Sequence, residues 1–131
     1  MNVYAFDIDE CLEISNGPVS LQSLMDLRID GHIVGLCGNW ACLTLNMRGW
    51  QHLISFMNCV LEYWVNGRRA DKSDFLKLLK RHVPADDHVM VGNVFGEKNS
   101  LGFVCGSHDS EAAIDAGWRF IKEDSFAAGE R

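Results

Sequence analysis

The stretch Val3-Tyr4-Ala5-Phe6-Asp7-Ile8-Asp9-Glu10-Cys11-Leu12 decides how the rest of the chain is read. A short apolar run, β-branched and aromatic residues among it, stops at two aspartates placed two positions apart. Such a run is a buried strand, and ligands of open α/β sheets gather at the carboxyl ends of strands of this kind. Two carboxylates at one strand tip repel each other unless a cation or a shared proton offsets the charge. The pair therefore suits a divalent metal with oxygen ligands. It also suits chemistry in which one carboxylate attacks while its neighbour moves protons.

Downstream, Ser15-Asn16-Gly17-Pro18 is a turn signal for a small flap, Glu13 to Pro18, over that strand end. Ser20 caps a helix with Leu21, Leu24 and Met25 on one face, and Gly31 stands where a left-handed residue would end it. His32 to Cys37 is a second buried strand, broken at Gly38-Asn39. Between Trp40 and Asn66 the periodicity is mixed, and the favoured reading is a helix over Gly49 to Asn58. A short strand within Val60 to Val65 would precede the Asn66-Gly67 turn. Asp71 to His82 is a helix with Phe75, Leu78 and Leu79 on its apolar face. Its early Asp71 and Asp74 and its late Lys80, Arg81 and His82 match the helix dipole, and Pro84 closes it.

His88 to Gly92 is a third apolar run, and Leu101 to Cys105 a fourth, spaced to make a hairpin or neighbouring strands with it. Ser107 to Ala116 is a helix with Asp109 and Glu111 in its first turn, stopped by Gly117. Arg119 to Ile121 is a last edge strand. Strands alternating with helices predict an α/β fold, a three-layer sandwich in which a mostly parallel, Rossmann-like sheet carries helices on both faces.

Length and composition agree with one domain over residues 1–131, whose 47% hydrophobic content supports a core without disulfides. Five cysteines, at 11, 37, 42, 59 and 105, are odd in number and lack C-x-x-C spacing, so reduced thiols in a cytoplasmic protein are expected. No basic-plus-apolar leader opens the chain, and no apolar stretch approaches the roughly 20 residues of a spanning helix, so neither secretion nor a membrane location is expected. The formal charge is −6. With no basic cluster beyond Arg68-Arg69 and Lys80-Arg81, a nucleic-acid partner is not expected, since phosphate backbones need a basic face. The histidines at 32, 52, 82, 88 and 108 show no ligand spacing. Trp40, Trp50, Tyr63 and Trp64 suit core packing or a homo-oligomer contact.

Four landmarks in order give the chain a family resemblance. Phe6-Asp7-Ile8-Asp9-Glu10-Cys11-Leu12, the strand end Leu36-Cys37-Gly38-Asn39, and Lys72 at the opening of a helix are the first three. Val91-Gly92-Asn93, followed by Asp109-Ser110-Glu111-Ala112-Ala113-Ile114-Asp115-Ala116-Gly117, is the fourth. Together, over about residues 3 to 121, they resemble the haloacid dehalogenase-like superfamily of phosphohydrolases. The resemblance implies a HAD-like sheet and a phosphohydrolase that depends on magnesium and forms an aspartyl phosphate. Asp7 would be the nucleophile and Asp9 the acid/base. Lys72 would hold Asp7 and the phosphoryl oxygens, while Cys37, Gly38 and Asn39 receive the phosphate. Mg2+ would be bound by the Asp7 carboxylate, the Asp9 carbonyl and a fourth-motif residue, either Asn93 or a carboxylate from Asp109 or Glu97.

The chain departs from the family pattern at three residues: Cys37 replaces a hydroxyl residue, Cys11 takes a further Thr/Val position, and Asn93 stands where a metal-binding Asp is expected. The segment from Asn93 to Asp109 is also longer than the usual loop. Residues 40 to 71 are too few for a separate cap domain of usual size. An open site of this kind would take a phosphorylated small molecule or macromolecule, or be closed by a partner subunit. The alternative reading is a catalytically weak or inactive HAD-like protein, serving as a phosphate- or metal-binding or assembly module.

Overall fold

The computed structural model describes residues 1–38, 54–58, 64–65, 68–69 and 71–131. The opening run forms β1, Asn2–Phe6, at the centre of a five-stranded parallel sheet. On one side lie β2, Ile33–Cys37, and then β3, Phe56–Asn58. On the other side lie β6, Asp87–Gly92, and the edge strand β7, Arg119–Lys122. The order β3-β2-β1-β6-β7 means that the chain first winds outward to one edge and then returns past β1 to build the other half. The reversal falls between β1 and β6, the place where open parallel sheets leave a crevice for ligands. A separate antiparallel pair is formed by β4, Trp64–Val65, and β5, Arg68–Arg69.

Side chains alternate across the sheet, and each face is covered by helices, which is the expected three-layer α/β sandwich. Tyr4, Phe6, Val34, Leu36, Val89 and Val91 point to one face, against Leu24 and Leu27 of α1, Leu21–Ile29, and Phe126 of α4, Glu123–Ala127. Val3, Ala5 and Met90 point to the other, against Leu76 of α2, Lys72–His82, and Ala113 of α3, Asp109–Asp115. Trp118 locks the second face, donating its indole N–H to the Leu76 carbonyl at 2.9 Å. Among the described residues, no helix is long and apolar enough to cross a membrane.

Helix termini follow the sequence closely. Ser20 caps α1 by accepting from the Ser23 amide, and Gly31 follows its end at φ +90°. Asp71 and Asp74 form a reciprocal capping box at the start of α2. The faces of these helices differ from expectation. Met25 and Leu78 are exposed, whereas Leu27 and Leu76 are buried. In α2, Ser73 and Leu76, one turn apart, are the buried positions, and the Ser73 hydroxyl donates to Asp115 of α3.

The helix expected over Gly49 to Asn58 is corrected at its end, where Phe56–Asn58 is β3, paired in parallel with Gly35–Cys37. Ile54 and Ser55 are not helical either, residues 49–53 lie outside the described residues, and so do Trp40, Trp50 and Tyr63. The Leu101 to Cys105 run does not join the sheet. It folds back on its own approach, with amide–carbonyl bonds from Gly96 to Cys105 and from Cys105 to Glu97, and Leu101, Phe103 and Val104 remain exposed. Helix α4 was not foreseen.

Candidate active site

Asp7 leaves the tip of β1 with its amide still donating to the Val91 carbonyl at 2.9 Å, so the β1–β6 ladder fixes its backbone. Its carboxylate is almost fully buried, at 2% exposure. One oxygen, Oδ1, meets the Lys72 ammonium at 2.7 Å. The other, Oδ2, accepts from the Asn93 side-chain amide at 2.9 Å. The same Asn93 nitrogen donates to the Asp9 carbonyl at 2.9 Å, bringing the two oxygens together around one atom.

Lys72 is the first residue of α2, so the capping box that starts the helix also aims this side chain. Its ammonium is shared with Asp109 Oδ1 at 2.5 Å. The second Asp109 oxygen accepts from the Asn93 backbone amide at 2.9 Å. Asp109, fully buried, therefore spends both oxygens on positioning. Glu97 is exposed, 3.9 Å from the Lys122 ammonium.

Close packing of backbone makes the cluster possible. A Cβ on Gly92 would lie 2.6 Å from Asp109 Oδ2 and 2.8 Å from its Cβ, so any side chain there would push Asp109 away. A Cβ on Gly38 would lie 2.9 Å from Asp7 Oδ1. Cys37, just before it, is buried at the end of β2, which places the β2 tip beside Asp7. Asn39 lies outside the described residues.

Electrostatically the site is one cation among carboxylates. Burial pushes Asp7 well above the ordinary carboxylate range; Lys72 pulls the other way, and the nearby Asp109 charge adds to the rise. For Lys72, burial alone would favour the neutral amine, but Asp7 and Asp109 outweigh it and hold the ammonium firmly charged. Burial also pushes the Cys11 thiol well up, with Asp7 adding to the shift, so this cysteine stays protonated.

Asp9 takes a different environment, only partly buried and receiving the Ser15 hydroxyl at Oδ1 over 2.6 Å. Ser15 ends the 3-10 turn Glu13–Ser15 in the flap, and the flap is tied down by Asn99, whose amide donates to the carbonyls of Glu10 and Asn16 at 3.0 and 2.8 Å. Neither Ser15 nor Asn99 was singled out in the sequence. Ser15 had a weak signal, its place in the turn next to the Asp pair, whereas Asn99 had none.

The structure thus brings Asp7, Asp9, Lys72, Asn93 and Asp109 to one end of the sheet, with Gly38 alongside. Among the described residues, no group of three or more His, Cys, Asp or Glu side chains is arranged to hold a metal. The oxygen set around Asn93 instead mixes a carboxylate, a main-chain carbonyl and an amide whose own Oδ1 is buried without a hydrogen-bond partner. The carboxylate and the carbonyl are hard donors of the kind Mg2+ takes, and the amide turns its nitrogen rather than its oxygen toward them. No family model matches the chain, and neither the curated proteins nor the solved structures contain a match to it.

Proposed function

We propose that the chain is a magnesium-dependent phosphohydrolase of the haloacid dehalogenase-like type, turning over through a phosphorylated Asp7. The observation that carries this reading is the buried Asp7 carboxylate pinned to Lys72 at the carboxyl end of β1, where the strand order reverses, with the Asp9 carbonyl beside it. A carboxylate oxygen held rigidly at a strand tip is a suitable nucleophile. Attack by Asp7 on phosphorus forms the acyl-phosphate bond and breaks the bond to the leaving oxygen, which takes a proton from Asp9. Asp9 then removes a proton from water as that water attacks the aspartyl phosphate, releasing inorganic phosphate and restoring Asp7.

Lys72 offsets negative charge shifting onto the phosphoryl oxygens, and Asp109 keeps Lys72 charged and aimed. Ser15 orients Asp9, and the β2 tip at Cys37 and Gly38 lies where main-chain amides would receive phosphate. Asp7, the Asp9 carbonyl and Asn93 would hold Mg2+, which supplies charge neutralisation when bound. The substrate class is a phosphorylated small molecule or macromolecule, the expected setting is the cytoplasm, and a second copy of the chain is a candidate for closing the site.

A second reading, a phosphate- or metal-binding or assembly module without turnover, is favoured by the Asn93 amide, which offers Asp7 a hydrogen bond where a carboxylate would offer charge for a metal. Turnover of an aryl phosphate separates the two. Wild type should hydrolyse it only with Mg2+, and Asp7→Asn should lose about 10³-fold or more. Equal rates in the two proteins would rule out the enzymatic reading.

A further inference from the structure

The Asn93 side chain carries an oddity the reaction scheme does not use. Its residue is 1% exposed, its nitrogen makes two good hydrogen bonds, and its oxygen makes none. A buried carbonyl oxygen without a partner is uncommon and costly. The two acceptors that hold the nitrogen, Asp7 Oδ2 and the Asp9 carbonyl, are the oxygens assigned above to the cation. Both lie 2.9 Å from that nitrogen. Neighbouring oxygens in an octahedral Mg2+ shell stand about 3 Å apart, so an amide oxygen in the nitrogen's place would fall at ligand spacing from the other two.

We propose that Asn93 is a two-position switch for a divalent cation, a reading that rests on the proposed metal site and extends it to control of cation entry. With the nitrogen inward, the amide bridges Asp7 and the Asp9 carbonyl and closes the site. With the oxygen inward, it completes a face of three oxygens for the ion. The exchange is a half-turn of the terminal amide, a torsion with broad, roughly two-fold preferences. The backbone need not move, because the Asn93 amide N–H stays anchored on Asp109. Each position leaves one polar end of the amide turned toward the side where Oδ1 now lacks a partner. Entry of the ion therefore gives up two hydrogen bonds, and the site binds Mg2+ about ten- to a hundredfold more weakly than a carboxylate at the same position would.

The test uses the full-length protein and Mg2+ alone. The Asn93 side-chain amide resonances, assigned through bonds to the Asn93 backbone, are followed by NMR while calorimetry measures binding. In chelator the two amide protons should show the shifts of hydrogen-bonded donors, and saturating Mg2+ should move them strongly. Asn93→Asp should bind Mg2+ about tenfold or more tightly than wild type. It should also melt lower than wild type in chelator and gain more from Mg2+.

Binding of Mg2+ with the Asn93 amide resonances unmoved would overturn the switch while leaving the metal reading standing. Equal affinity in wild type and Asn93→Asp would do the same. Absence of binding in both proteins would overturn the switch and the metal reading together. Because the resonance measurement is made on wild type, a variant that fails to fold does not leave the outcome open.

Discussion

Beside Asp7, two further carboxylates are buried at the carboxyl end of the sheet, and they are treated in opposite ways. Asp109, past the end of β6, has both oxygens paired, one with the Lys72 ammonium and one with the Asn93 amide. Glu123, past the end of β7, is equally buried, yet no other described residue donates a hydrogen bond to either of its oxygens, and Lys122 is 3.8 Å away. The first is held in place by an ion pair and a main-chain hydrogen bond, a network of the kind that preorganises a site. The second is pushed up to about 7, chiefly by burial; its own backbone amide and Lys122 oppose the rise, and Asp124 and Glu97 add to it. What separates a positioning group from a liability here is the set of donors around it, since burial is the same for both.

The largest effect should come from removing the cation at the β6 end. Lys72→Met leaves Asp7 and Asp109 facing each other without compensation, and urea unfolding at pH 7 should show a loss of about 3–5 kcal/mol. Part of that loss should return in acid, as Asp7 takes up a proton. Next in size is Gly92→Ala, whose methyl would displace Asp109; about 2 kcal/mol of stability should go, together with most phosphatase activity. A variant with wild-type stability and turnover would show that Asp109 is not needed to place Lys72.

The β7 end predicts a change of slope. Glu123 has a folded-state value near 7 against 4.5 for the ordinary group, so between those pH values the folded protein holds a proton that the unfolded chain has released. Stability should therefore fall as pH rises from about 4.5 to about 7 and level off above. Thermal melts of Glu123→Gln should show a smaller fall, since Asp7, also raised by burial, keeps its own share, and an identical pH profile in both proteins would place the titrating group elsewhere. The smallest expected effect is at the flap. Ser15→Ala should cost about 1 kcal/mol or less and lower activity severalfold through a poorly oriented Asp9.

The contrast also marks what could be read from the chain beforehand. β1 with its Asp pair, the caps at Ser20 and Asp71, and the stop at Gly31 were legible because each depends on local chemistry of a few neighbouring residues. Lys72 was legible for the same reason, as the first residue after a cap. Helix phase was less so. The buried Ser73 is polar in the sequence, and the carboxylate that accepts its hydrogen bond, Asp115, is 42 residues away. Leu101 to Cys105 looked like a strand because apolar residues were equated with burial, whereas its backbone pairs locally and leaves most of those side chains in solvent.

The site shows the same division. Asp7, Asp9 and Asn93 stand at strand ends, which periodicity locates well. Asp109 was singled out, but its work of fixing Lys72 and the Asn93 backbone follows from β6, α2 and α3 converging, which no local pattern reports. Ser15 and Asn99 join the site through the flap and the 94–106 loop, whose contacts depend on the fold as a whole. The Glu123 environment was equally hidden, since α4 itself is too short to give a periodic signal.

The central claim is that Asp7 accepts the phosphoryl group. The most direct measurement is to mix the protein with Mg2+ and an aryl phosphate, quench early, reduce any acyl phosphate with borohydride, and sequence the peptides by mass spectrometry. The account predicts homoserine in place of Asp7 in wild type and none in Asp7→Asn. Substrate turnover with no reduced product at Asp7, or with the product at another carboxylate, would contradict it.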